Sequence, residues 1–291
     1  MTGAARYGFN AGDMVEAINK HLPHTEQDLN FVIDRTKNVM KAFIITLTNE
    51  HDPTVSTRKL LKSIAQFCPS VVEPFIYDAV TPKTLKANMT KNFDNTIATN
   101  ITYTYPKTVE ENRYDIRTGL KLSAYQSKSG NPDSRIACFM SHYNLWRTCV
   151  EINEPIMILE SDAIFVGNFD WVRIQKAFTG MVLGLNNPIG ATRRASVFNT
   201  AVEKGHKRGA LHTIMEAPDV DEFDIPQGLA GNSAYIIKPS GAAKLIGLTA
   251  QHGIWPNDAL MCKQLMGKGN LQVLFPYITK VQPQQESTTS R

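Results

Sequence analysis

The chain has 291 residues, 42% of them hydrophobic and 20% charged, which excludes a disordered chain and allows one sizeable α/β domain or two smaller ones. Its formal net charge of +4 is too small to require a nucleic-acid partner. None of the 4 cysteines forms a CxxC pair, so neither a zinc knuckle nor a disulfide framework is indicated. Because no apolar run approaches about 18 residues and the N-terminus lacks an apolar signal core, we expect a cytoplasmic protein without a transmembrane segment.

The first half of the chain begins with a β-α-β pattern. Residues 1–38 carry a weak helical pattern and are predicted to be a helical N-terminal extension. A strand is predicted at "KAFIITLT" (41–48), and a helix then follows with Asp52 as N-cap and Pro53 at its first position. A second strand at 71–77 completes the unit, which favours a parallel sheet.

The second half alternates strands and helices after a long irregular segment. Residues 80–133 show little periodicity, and a segment of this kind inside a compact domain is usually functional or mobile. A helix beginning near Ser134 leads into a strand at 156–160, and further strands are predicted at 181–185, 233–238 and 271–278. Helices are predicted in "SGAAKLIGL" and "PNDALMCKQLM", and the tail at 283–291 is predicted to be disordered.

Two carboxylates end the strand in "EPIMILESDAIFVGNF" (154–169). In open α/β sheets, ligands bind outside the carboxyl ends of the strands, where Glu160 and Asp162 are placed. In an extended segment residues i and i+2 point the same way, so both carboxylates can face one pocket and hold Mg²⁺ or Mn²⁺ beside a diphosphate. The alternative, which spacing alone favours, is a solvated strand end that happens to be acidic.

The surrounding sequence resembles glycosyltransferase family 25, which includes bacterial lipopolysaccharide glycosyltransferases and collagen galactosyltransferases. In that family a "G-C-x-x-S-H-x-x-x-W" helix precedes a strand ending in "L-E-D-D-V-x-F". The matching residues here are Cys138, Ser141, His142, Trp146, Leu159, Glu160, Asp162 and Phe165. Weaker similarity extends over most of residues 41–280, including "GNSAYIIKPSGAAKLI" and "IWPNDALMCKQLM". Three positions depart from the pattern: Ser161 replaces the middle acid, Ala137 replaces a glycine, and Thr81 replaces an aspartate.

The resemblance implies one Rossmann-like nucleotide-sugar transferase domain of the GT-A type over residues 39–282, with a mixed, mainly parallel sheet. It also implies inverting transfer from a nucleotide-diphosphate sugar, with UDP-sugar as the expected donor and Mn²⁺ or Mg²⁺ held by Glu160 and Asp162. Inversion needs a base at the acceptor hydroxyl. Asp258, near a predicted helix start, is the first candidate and Asp224 the second; the alternative for Asp258 is a simple capping role.

Six residues are candidates for contacts with the donor. They are Thr46, Thr48, Arg58, Ser141, His142 and Asn232. Arg58 could instead pair with a surface acid, and His142 could equally be a hydrogen-bonded core histidine. A nucleophilic pair of Cys138 and His142 is disfavoured because nothing in the sequence supplies the third, orienting group.

A basic loop at 193–208 precedes an acidic stretch at 216–224. The basic residues are Arg193, Arg194, Lys204, Lys207 and Arg208. They could receive a polyanionic acceptor, or both stretches could be solvated loop faces. The expected acceptor is a saccharide of the lipopolysaccharide type. Two alternatives stay open: a transferase acting on hydroxymethylated DNA bases, and a degenerate, non-catalytic module that binds sugar nucleotides or glycans.

Overall fold

The computed structural model describes residues 39–47, 54–93, 132–190, 195–219, 229–252, 254 and 256–283. The predicted extension at 1–38 and nearly all of the predicted tail lie outside this part of the chain, so both stay predictions. Nine strands are described: β1 (Met40–Thr46), β2 (Val72–Asp78), β3 (Ile156–Glu160), β4 (Ala163–Phe165), β5 (Val182–Gly184), β6 (Thr213–Glu216), β7 (Ala234–Ile237), β8 (Leu271–Phe275) and β9 (Thr279–Val281). The described helices are α1 (Val55–Phe67), α2 (Pro82–Asn92), α3 (Pro132–Ile152), α4 (Trp171–Ala177), α5 (Ala195–Gly205), α6 (Pro239–His252), α7 (Asn257–Leu260) and α8 (Lys263–Met266).

Seven of these strands form one mixed sheet in the order β2-β1-β3-β7-β5-β8-β6. The pairs β1–β2, β1–β3 and β5–β8 are parallel, whereas β7 and β6 run against their neighbours. Five of the seven strands therefore point the same way, and the predicted α/β fold with a mixed, mainly parallel, Rossmann-like sheet is confirmed.

Strand β3 lies inside the sheet and is covered on both faces. Ile156 and Ile158 belong to the core cluster that includes α3 and α6, while Met157 and Leu159 belong to the cluster that includes α1 and α4. A strand buried on both faces has no reason to alternate in polarity, which explains the continuous apolar run before Glu160. Among the described residues, no helix is both long and apolar enough to cross a membrane.

The register of β3 determines which segments meet at its carboxyl end. Ile45 of β1 lies opposite Glu160, and Ala234 of the antiparallel β7 lies opposite Leu159. The end of β1 and the segment preceding β7 therefore meet at Glu160.

Two local predictions, the cap of the first helix and the irregular segment at 80–133, were wrong in detail. Helix α1 is capped by Thr54, whose Oγ1 accepts a hydrogen bond from the Thr57 N–H at 3.2 Å, whereas Asp52 and Pro53 lie outside the described residues. Within the segment predicted to be irregular, residues 82–92 form α2, which begins at a capping box made by Thr81 and Thr84. The weak helical periodicity of α2 concealed it, because Leu85 is its only residue described as buried.

The helix predicted at 256–266 is divided into α7 and α8. Leu260, Met261 and Cys262 are consecutive and all fully buried. A continuous surface helix cannot turn three successive side chains toward one core, so the chain leaves the helix between them. The predicted basic loop at 193–208 is likewise regular for most of its length, since α5 occupies residues 195–205.

Candidate active site

The carboxyl end of β3 places Glu160 beside β1 and the segment that leads into β7. The Glu160 N–H donates to the Ser233 carbonyl at 2.8 Å, and the Ser161 N–H donates to the Ile45 carbonyl at 3.0 Å. The chain then turns, and β4 begins at Ala163 in a separate two-stranded sheet with β9. The strand alternation expected to put Glu160 and Asp162 on one side therefore does not apply, because residues 161–162 form a turn.

Gln282 holds this turn from the end of the described chain. Its backbone N–H donates to the Asp162 carbonyl at 2.7 Å. Its buried side-chain amide nitrogen lies 3.0 Å from the Ser56 carbonyl, 3.3 Å from the Ser161 carbonyl and 3.2 Å from the Ala163 carbonyl. An amide nitrogen carries two hydrogens, so it serves two of these oxygens at once. Gln282 thus fixes the backbone that carries Asp162.

A chain of buried side chains leads from α3 to Glu160. The Trp146 indole N–H donates to the Tyr235 hydroxyl at 3.0 Å, and that hydroxyl lies 2.9 Å from His142 Nδ1. His142 Nε2 lies 3.3 Å from Glu160 Oε1, and the Ser233 hydroxyl donates to Glu160 Oε2 at 3.0 Å. Both carboxylate oxygens are therefore held by protein donors.

The Tyr235 hydroxyl joins two members of this chain. Burial raises the pKa of Tyr235 well above its usual range, although the Trp146 hydrogen bond opposes this shift, so the phenol keeps its proton. Its oxygen accepts from the Trp146 indole and contacts His142 Nδ1 on the other side, while His142 Nε2 faces Glu160 Oε1. His142 is thus a core histidine that orients Glu160.

Burial and three carboxylates act on the Cys138 thiol. Burial raises the pKa of the thiol most, followed by the negative charges of Glu160, Asp258 and Asp162 in that order. The thiol remains protonated at neutral pH, which argues against the Cys138–His142 nucleophile pair.

Two ligand sets could hold a cation here. The ligand atoms of Cys138, His142 and Glu160 lie within 4.8 Å of one another. However, the Cys138 thiol keeps its proton and would have to release it to bind a metal. The carboxylate oxygens of Glu160 and Asp162 suit Mg²⁺ or Mn²⁺, which prefer oxygen ligands. Glu160, with its side chain 32% exposed, is held and yet accessible.

Two of the predicted donor contacts are enclosed by the fold. The Ser141 hydroxyl donates to the Ala137 carbonyl at 3.0 Å and accepts from the Val80 N–H at 2.9 Å, so it fastens α3 to the segment after β2. The buried Thr46 hydroxyl lies 2.7 Å from the Thr57 hydroxyl. Both side chains are almost fully buried, so a direct donor contact would require them to exchange existing bonds.

The other candidates differ in accessibility. Arg58 is exposed on α1, while Thr48 and Asp224 lie outside the described residues. Asn232 is only 8% exposed, and its Oδ1 and Nδ2 atoms have no hydrogen-bond partner within the described chain. Asp258 belongs to a helix of four residues, too short to support the dipole argument made for it.

The predicted basic loop is only partly described. Lys204, Lys207 and Arg208 are exposed, and Arg193 and Arg194 lie outside the described residues. Of the acidic stretch, Glu216 is bound within the fold: its Oε1 accepts from the Gly269 N–H at 3.0 Å and lies 3.5 Å from Lys263 Nζ.

Sequence reasoning missed three residues that shape the site, namely Ser233, Tyr235 and Gln282. Ser233 and Tyr235 lie within the segment "GNSAYIIKPSGAAKLI", whose similarity to the family was a usable signal. Gln282 precedes the predicted tail and had no signal, since its role depends on contacts with residues 119 to 226 positions away.

The fold and the acids at the carboxyl end of β3 define an α/β protein with a candidate ligand site at the edge of its sheet. More particularly, residues 40–261 match the family model described as glycosyltransferase family 25 (LPS biosynthesis protein), which covers well over half of the chain. The protein therefore belongs to glycosyltransferase family 25, and the predicted family is confirmed.

Two solved structures are similar over most of this chain but distant in sequence. The apo form of mouse xyloside xylosyltransferase 1 is similar over 76% of this chain and 79% of its own, with 10% identity and a TM-score of 0.37. A putative glucose-1-phosphate thymidylyltransferase from Bacillus anthracis, in complex with a sucrose, is similar over 81% of this chain and 86% of its own, with 12% identity and a TM-score of 0.35. A search of curated proteins gives no match.

Proposed function

We propose that this enzyme transfers a sugar, with inversion, from a UDP-sugar to a hydroxyl group of a saccharide acceptor, and that it requires Mn²⁺ or Mg²⁺. The observation that carries the proposal is the acidic carboxyl end of β3, where Glu160 is held by Ser233 and His142, stays 32% exposed, and is followed by the turn that carries Asp162. Acids placed two residues apart are unfavourable for folding, because like charges repel. A bound cation and a catalytic base would account for acids gathered at this site.

Glu160 and Asp162 are the proposed cation ligands. Their carboxylates are presented by a strand end and a clamped turn, and Glu160 is additionally held by Ser233 and His142. Ligands oriented in this way need no rearrangement on binding. A divalent cation bound there would neutralise the charge that develops on the departing diphosphate.

Asp258 is the proposed base. Its charge, on α7, acts on the Cys138 thiol as those of Glu160 and Asp162 do. Its partial exposure leaves it accessible to an acceptor hydroxyl. A base near the reacting oxygen would take the proton of the hydroxyl as it attacks the face of the sugar opposite the diphosphate. Asp224, the second candidate, lies outside the described residues and keeps this rank.

A saccharide acceptor agrees with the family description. The exposed cations Lys204, Lys207 and Arg208 are compatible with phosphorylated saccharides. The DNA alternative has no support from the family match. The non-catalytic alternative is less favoured, since the acids that catalysis would use are retained despite Ser161.

A donor panel tests the proposal. Purified protein is incubated with UDP-glucose, UDP-galactose and UDP-N-acetylglucosamine, with MnCl₂ or EDTA, and UDP release is measured. We expect slow release from one donor that requires the metal and stops in Asp162→Asn. Asp170→Asn is the matched control, because Asp170 caps α4 at the surface and asparagine caps equally well. Equal loss in both variants, or activity in EDTA, would contradict the metal assignment.

A further inference from the structure

Two buried asparagines, each directly preceding a residue of the candidate site, lack sufficient hydrogen-bond partners. Asn232 and Asn257 are each 8% exposed. Within the described chain, Oδ1 and Nδ2 of Asn232 and Nδ2 of Asn257 are buried without a partner. An unsatisfied buried amide atom costs about 1–3 kcal/mol, so such groups are retained where a ligand completes them.

Both residues belong to segments that reach the carboxylates. Asn232 directly precedes Ser233, whose hydroxyl binds Glu160 Oε2. Asn257 directly precedes Asp258, whose charge acts on Cys138 together with that of Glu160. The two segments are joined, since the Leu229 N–H donates to the Met261 carbonyl at 3.1 Å and the Met261 N–H donates to the Asn257 carbonyl at 3.2 Å.

The chain approaches Asn232 through a constrained turn. Gly231 has φ +74, and a Cβ atom there would come within 3.0 Å of Pro188 Cα and 3.1 Å of the Asn186 carbonyl oxygen. Glycine is therefore required both by its backbone conformation and by the close approach of the neighbouring loop. This packing fixes the backbone of the turn that carries Asn232.

The donor and acceptor atoms of an asparagine side chain determine which ligand can satisfy it. A phosphate oxygen only accepts hydrogen bonds and would leave Asn232 Oδ1 unsatisfied. A sugar hydroxyl both donates and accepts, is neutral, and can serve Oδ1 and Nδ2 through two neighbouring groups. We propose that Asn232 and Asn257 form a subsite for the hydroxyl groups of the transferred sugar, an inference that rests on the proposed function.

The test separates the sugar from the nucleotide. Binding of UDP, UDP-glucose, UDP-galactose and UDP-N-acetylglucosamine is measured by calorimetry with MnCl₂, and the ratio of the UDP and UDP-sugar dissociation constants gives the contribution of the sugar. We expect Asn232→Leu and Asn257→Leu each to reduce this ratio by about tenfold for the preferred donor, which corresponds to one or two lost hydrogen bonds. The affinity for UDP alone should not change.

The stability of the ligand-free protein provides a second measurement. Asn199 is also 8% exposed, but its Nδ2 donates to Glu203 Oε1 at 2.8 Å, so it is a satisfied control of equal burial. Asn199→Leu should lower Tm, whereas Asn232→Leu should leave it equal or higher, because it removes an unsatisfied group.

The possible outcomes distinguish failure of the sugar subsite from failure of the proposed function. If UDP and UDP-sugars weaken in parallel, or if the ratio is unchanged in both variants, the sugar subsite is refuted while the proposed function stands. A fall in Tm for Asn232→Leu as large as that for Asn199→Leu would show that Asn232 is bonded within the protein, which also refutes the subsite. If the wild-type protein binds none of the UDP compounds, the proposed function fails and the subsite with it.

Discussion

Removal of one oxygen atom, in Tyr235→Phe, should destabilise the protein strongly. The Tyr235 hydroxyl accepts from the Trp146 indole at 3.0 Å and lies 2.9 Å from His142 Nδ1. All three side chains are fully buried, so no water replaces the missing group. The substitution therefore leaves two buried polar atoms unsatisfied in addition to removing two hydrogen bonds.

The magnitude follows from that count. Each buried atom left without a partner costs about 1–3 kcal/mol, so the free energy of unfolding should fall by about 3 kcal/mol or more. For a domain of this size, that corresponds to a fall in Tm of about 6–12 °C. Donor turnover should fall as well, because the His142 ring loses the bond to Tyr235 that holds its Nε2 toward Glu160.

Tyr77→Phe is the matched control. The Tyr77 hydroxyl accepts one hydrogen bond, from Asn144 Nδ2 at 2.7 Å, at a partly buried position outside the carboxylate cluster. Its loss should cost about 1 kcal/mol with no effect on turnover. Thermal unfolding followed by circular dichroism measures both variants. If Tyr235→Phe is no less stable than Tyr77→Phe, the assignment of the buried chain is wrong.

Two further predictions concern the turn and the thiol. Gln282→Leu should lower metal-dependent turnover, because it loosens the turn that carries Asp162. Gln272→Leu is the control: it removes another buried glutamine, bound to the Gly180 N–H, and should destabilise the protein without this loss of turnover. Equal turnover in both variants would contradict the role of Gln282 in holding the turn. Burial, and after it the negative charges of carboxylates, raise the pKa of Cys138, so its thiolate fraction grows only at high pH. Asp258→Asn removes one of these charges and should lower that pKa, which speeds alkylation by iodoacetamide at pH 8, as measured by mass spectrometry of the labelled peptide. An unchanged rate would place Asp258 away from Cys138.

Much of the fold was readable from the sequence because its strong elements repeat local signals. The apolar runs of β1 and β3 and the helical spacing in α3 need little tertiary information. Weak elements were missed for a physical reason. Helix α2 buries a single described residue, and the short strands β4 and β9 are strands only because they pair with each other.

The residues of the candidate site also fall into those that the sequence indicated and those whose role depends on tertiary contacts. The sequence placed Glu160 at the end of a buried strand, and its resemblance to the family placed Asp258 among the candidate acids. It offered Ser141 and His142 as candidates for donor contacts, with a core role as the equal alternative for His142. Both side chains are buried, and residues of a motif can serve the fold as well as the reaction. Which role applies depends on the hydrogen-bond partners, and these lie far away along the chain.

By itself, the sequence determined the family, the main strands and the acidic end of β3, since each depends on residue types at short spacing. Only the tertiary structure decided that a turn rather than an extended strand carries Asp162, and that His142 orients Glu160 through its place between Tyr235 and the carboxylate. The physical reason is that hydrogen bonds and electrostatic fields act between atoms that are close in space, and folding joins segments whose separation along the chain carries no local signal.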